Sequence, residues 1–134
     1  MAVRKENLLS NSSQKHSQPI ELFTENGFSI FRRWEVDGVA PVAGAYNFLV
    51  RNPHAEELEI TVRISPDAVT DVLKRSEGRV SGNSPFWISC AERHLASYLW
   101  ENDDYPPNTS LDVDRLTPDD LDLARRWKIN RDFS

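Results

Sequence analysis

At Ile64 the spacing of apolar residues along the chain changes. Upstream, Leu58, Ile60, Val62 and Ile64 alternate with Glu57, Glu59, Thr61 and Arg63, the period-two pattern of a strand buried on one face. Downstream, Ser65-Pro66-Asp67 supplies a helix N-cap, a proline at the first helical position and an acid in the first turn. Val69, Val72 and Leu73 then recur at helical spacing until Gly78. A chain that alternates before one point and runs helical after it belongs to the α+β class, with sheet and helices segregated.

The alternating part extends back to about residue 19. Ile20 and Leu22 flank Glu21 ahead of the turn signal Glu25-Asn26-Gly27. Phe28, Ile30, Trp34 and Val36 then fall on one face, with Ser29, Arg33 and Glu35 on the other; Arg32 interrupts the inward set and Phe31 the outward one. After a turn from Asp37 to Pro41, Tyr46, Phe48 and Val50 alternate with Ala45, Asn47 and Arg51, and Arg51-Asn52-Pro53-His54 breaks the run. Short connections predict a four-stranded antiparallel meander over about 19–64 with one face in water. Ser84-Pro85 and Thr117-Pro118-Asp119-Asp120 repeat the helix-start signal, so three helices are expected at about 66–77, 85–101 and 118–128. Asp103 to Asp114 reads as a polar, proline-containing loop, extended where Asp112 and Asp114 alternate with Leu111 and Val113. Strands followed by helices also resembles the element order of the ubiquitin-conjugating and related non-catalytic folds. It is a likeness of topology alone that no motif supports, since helical spacing puts Cys90 inside a helix rather than in an active-site loop.

A length of 134 residues suits one domain, expected over 19–134. Residues 1–18, rich in Ser, Asn, Gln and Lys, read as a disordered tail. The tail has no apolar run longer than Leu8-Leu9, and the chain has nothing near the length of a membrane span, so no signal peptide and no membrane association are expected. A single cysteine, Cys90, permits no intramolecular disulfide, which fits a reducing, cytoplasmic location.

The formal net charge is −5, and its distribution is uneven. Residues 101–122 hold Glu101, Asp103, Asp104, Asp112, Asp114, Asp119, Asp120 and Asp122 against Arg115 alone, a local net charge of −7. Nucleic-acid binding is disfavoured, because phosphate recognition draws on an excess of Lys and Arg. The basic pair Arg32-Arg33 does not restore it, since neighbouring strand residues face opposite sides.

At 100° per residue, Trp87, Ala91, Leu95 and Tyr98 define the core face of the long helix, and Cys90, His94, Ser97 and Glu101 share one flank. A thiol four residues before an imidazole is half of a soft-metal site, or a nucleophile with its base. Glu101, two turns further on, can orient the imidazole only through another element. The plainer reading makes Cys90 a packing residue: His16 lies in the tail, His54 in a turn, and no second cysteine supplies a further ligand. The acids at 101–104 with Asp112 and Asp114 lack the ligand ladder and central glycine of a calcium loop, and Asp119 and Asp120 already suit the positive end of the third helix. There is no GxGxxG, GxxxxGK, GxSxG, HExxH or CxxC.

The missing catalytic motifs and the concentrated acidity lead to a non-enzymatic protein-interaction or adaptor module with no cofactor and no metal. Its partner is expected to be a protein, a basic one suiting the acids, contacting Trp100, Asp103, Asp104, Asp112 and Asp114. Trp100 projects from the polar side of the long helix, so either the C-terminal segment folds over it or it is an exposed anchor. The alternatives are a small enzyme or metal-dependent protein built on Cys90, His94 and Glu101, and a small-ligand binder with a pocket between sheet and helices.

Overall fold

A computed structural model describes residues 21–38 and 43–127. The tail at 1–18, Ile20, most of the turn ending at Pro41 and the end of the third predicted helix lie outside the described residues, as does the side chain of Val36.

The strands are β1 (Glu21–Phe23), β2 (Ser29–Arg32), β3 (Ala45–Arg51), β4 (Glu57–Ile64) and β5 (Ser110–Val113). The helices are α1 (Arg33–Asp37), α2 (Pro66–Arg75), α3 (Pro85–Asn102) and α4 (Pro118–Arg126). The strands form one sheet in sequential order. β1 to β4 are the expected antiparallel meander, with Ile30 opposite Val50 and Phe48 opposite Ile60. This register puts Ile30, Phe48, Val50, Ile60, Val62 and Ile64 on the face covered by the helices, where each is 4% exposed or less.

Two expectations need correction. Ser110–Val113 is not a solvated loop segment but a fifth strand, parallel to β4, so the sheet is mixed. Leu111 and Val113 stand opposite Val62 and Ile64, and four residues of alternating apolar character suffice to complete the edge of a sheet already in place. The strand beginning at Phe28 does not run on to Val36, because Arg33–Asp37 is a short helix closed by Gly38 at φ 79°. It seats Trp34 edge-on against Phe48 and Tyr46 at ring distances of 5.6 and 6.2 Å.

The three predicted helix starts hold. Ser65 accepts from Ala68 N–H at 3.1 Å, Ser84 from Phe86 N–H at 3.1 Å and Thr117 from Asp120 N–H at 3.1 Å. In α3, Phe86, Trp87, Cys90, Ala91, Leu95 and Leu99 are all buried against the sheet. Arg32, the polar break in the inward pattern, is paired beneath the sheet: its Nη2 and Nε donate to the Glu92 carboxylate of α3 at 2.9 and 3.2 Å. Asn26, in the β1–β2 turn, donates to Leu99 O and to Asp103 Oδ1 at the end of α3. Among the described residues no helix is long and apolar enough to cross a membrane.

Candidate functional site

α3 passes the edge strand β5 and the first turn of α4, and a surface cleft of about 460 Å³ lies between them. α3 lines it with Arg93, His94, Ser97, Tyr98 and Glu101; β5 with Leu111, Asp112 and Val113; α4 with Thr117, Asp119 and Asp120. The flank read from helical spacing therefore gives one wall of the cleft half-buried His94 and exposed Ser97 and Glu101, while Cys90 on the same flank is fully buried behind it.

The innermost group is one the sequence did not single out. Asp120 is the third residue of α4 and its side chain is 3% exposed. It completes a capping box, its Oδ2 accepting from Thr117 N–H at 3.0 Å while its own N–H meets Thr117 Oγ1. The same carboxylate reaches α3, with Oδ2 2.7 Å from His94 Nε2 and Oδ1 accepting from Arg93 Nη2. Burial by itself pushes the Asp120 carboxyl up; the hydrogen bonds from His94, Arg93 and Thr117 N–H outweigh it and hold the group well below the usual carboxylate range. The role foreseen for Asp120, a negative charge at the positive end of this helix, is thus only part of what it does.

Glu101 lies in the same wall, but the carboxylate that engages His94 is Asp120. Cys90 is fully buried, and burial, with the negative charge of Asp120, pushes its thiol up to about 12. A ligand atom from each of Cys90, His94 and Asp120 lies within 4.8 Å of the other two. A thiol so desolvated is a poor nucleophile, because the thiolate is the reactive form.

The acids expected to form one interaction surface are divided. Asp112 lines the cleft. Asp114 lines a second hollow with Asp67, Asp71 and Arg115. Asp103 caps the end of α3 at φ 54°, and Asp104 Oδ1 accepts from Tyr105 N–H. Trp100 is 52% exposed, and the C-terminal segment beyond Trp127, its expected alternative cover, lies outside the described residues. It lies three residues beyond Ser97 and seven beyond Arg93, so these residues share the face of α3 beside the cleft. Beneath α3 the fully buried Phe48, Ile60, Val62, Leu95 and Leu99 fill the space between sheet and helix. Comparison with protein-family models, with curated proteins and with solved structures gives no match, so the site must be interpreted from its own chemistry.

Proposed function

We propose that this chain is a non-enzymatic protein-interaction module that receives a basic segment of a partner protein in the cleft bounded by α3, β5 and α4. The observation that carries this reading is the state of the charges there. Asp120 is neutralised by Arg93, whereas Glu101, Asp112 and Asp119 have no ion-pair partner among the described residues. Unpaired carboxylates in a cleft that Leu111 and Tyr98 also line suit a lysine or arginine side chain, whose alkyl stem packs while its head pairs. Trp100, exposed beside this rim, suits the anchoring role that tryptophan plays in interfaces. Complementary charge sets encounter rate and partner choice, while a buried aromatic contributes much of the affinity.

The desolvated Cys90 supports a binding role over a catalytic one, since a triad needs an accessible nucleophile. The test is an amide chemical-shift titration with a lysine- and arginine-rich peptide and, separately, with an acidic peptide of equal length. Saturable shifts confined to Ser97–Glu101, 111–113 and 117–120, seen with the basic peptide alone, support the reading. Equal responses to both peptides, or shifts spread over the surface, contradict it.

A further inference from the structure

Helical spacing places a thiol and an imidazole on one flank of α3 and leaves them short of a third ligand; the fold supplies it. We infer that Cys90 Sγ, a ring nitrogen of His94 and a carboxylate oxygen of Asp120 form a three-ligand site for one Zn²⁺ at the floor of the cleft. This does not depend on the protein-interaction reading.

The donor set selects the metal class. One thiolate, one imidazole and one carboxylate suit borderline-soft zinc, whereas calcium and magnesium take oxygen ligands. The three donor atoms lie within 4.8 Å of one another. Bonds of about 2.0–2.3 Å in a tetrahedral shell bring ligand atoms to roughly 3.3–3.8 Å apart, so closure needs shifts on the order of 1 Å. His94 and Asp120, now 2.7 Å apart, must separate slightly as the metal enters in place of their hydrogen bond. The route in lies past His94, whose side chain is 20% exposed and lines the cleft. Three protein ligands leave a fourth position for water on that side.

Support for the ligands is already built. Arg93 holds Oδ1 of Asp120, and Thr117 N–H donates to Oδ2, which fixes the carboxylate as outer-sphere partners do in metal sites. The reaction balances without an oxidant or reductant: the S–H proton of Cys90 leaves to solvent as the S–Zn bond forms. The proton that His94 Nε2 donates to Asp120 passes to Nδ1 or to solvent as that nitrogen takes the metal. One water of the hydrated ion remains while the others are released. Thiolate and carboxylate together match the charge of the ion. Arg93 adds one positive charge, and Glu101, Asp112 and Asp119 in the same cleft add three negative ones, so a divalent cation enters a site of net negative surroundings.

The experiment is titration of the full chain with Zn²⁺ and with Co²⁺, beside Cys90→Ser and His94→Gln variants. The serine variant is near-isosteric, and its circular dichroism and melting curve establish that it folds. The expected result is one Zn²⁺ per chain, with a thiolate-to-cobalt charge-transfer band in the near ultraviolet. Cys90→Ser loses the band and weakens zinc binding by more than the ~10–100-fold that loss of a supporting residue costs. His94→Gln weakens binding while retaining the thiol. Absence of a stoichiometric zinc ion overturns the inference. So does binding that persists in Cys90→Ser without the cobalt band, which assigns the metal to the surface carboxylates.

Discussion

His94 Nε2 and Asp120 Oδ2 are 2.7 Å apart, although 26 residues separate them in the chain. The contact joins the middle of α3 to the first turn of α4, and Arg93 doubles it from the next position. One carboxylate thus caps a helix, docks that helix on another and forms the floor of the cleft.

The clamp makes stability depend on acid. A carboxyl held below its unfolded value contributes stability that is present above that value and lost as pH falls through the folded one. In metal-free protein the contribution of Asp120 is therefore full above ~pH 5 and declines below ~pH 4, near the ordinary carboxylate value. Asp120→Asn is expected to cost about 1.5–3 kcal/mol at neutral pH, the range for hydrogen bonds to a charged group. It should also make the acid limb of the stability curve shallower. Denaturant melts from neutral to acidic pH check both, and parallel curves for the two proteins contradict the account.

Beneath the sheet, Arg32 and Glu92 are 19% and 11% exposed in their side chains. Arg32→Met strands the Glu92 carboxylate and is expected to cost about 2–4 kcal/mol, toward the figure for a buried pair. Glu92→Met is expected to cost less, because Arg32 keeps Glu35 at 3.7 Å. The double variant should cost less than the two singles combined, because no charge is left behind. Additive losses in a double-mutant cycle, measured by urea melts, would show that the two residues act independently.

Cys90 is expected to label slowly with a thiol reagent in metal-free protein. With its thiol pushed up to about 12, the rate should show no inflection between neutral pH and pH ~10. Denaturation should restore labelling at the speed of a free thiol. A fast reaction in the folded protein, with an apparent pKa below that of free cysteine, would return Cys90 to the list of nucleophiles.

Trp100, 52% exposed, should supply the readily quenched part of the fluorescence, since Trp87 is 1% exposed. Trp100→Phe is expected to remove most of the iodide-accessible emission. Its effect on stability should stay within ~0.5 kcal/mol, as for surface positions generally. Undiminished iodide access in Trp100→Phe would place the open ring elsewhere.

Much of this architecture is local and was therefore legible. Period-two alternation identified β3 and β4, and three Ser/Thr-Pro signals placed α2, α3 and α4 to within about two residues. What escaped depends on packing. β5 is four residues of weak alternation, and only the edge offered by β4 makes it a strand. The helix at Arg33–Asp37 has apolar residues that fit either period over so short a span. At the site, helical spacing brought together Cys90, His94 and Glu101 on one flank of α3, of which His94 and Glu101 line the cleft. It could not supply Asp120: Thr117-x-x-Asp120 announces a cap, and only the docking of α4 turns that cap toward His94.

The central claim is that the unpaired acids of the cleft receive a basic partner, and charge reversal tests it most directly. Binding of a lysine- and arginine-rich peptide should be measured by calorimetry for the natural chain and for Glu101→Lys/Asp112→Lys, at low and at physiological salt. Both positions are exposed, so the variant should fold normally. The account predicts at least a ten-fold loss of affinity in the variant and a weaker salt dependence, because fewer ionic contacts remain to be screened. Unchanged affinity and salt dependence in a folded double variant would contradict it.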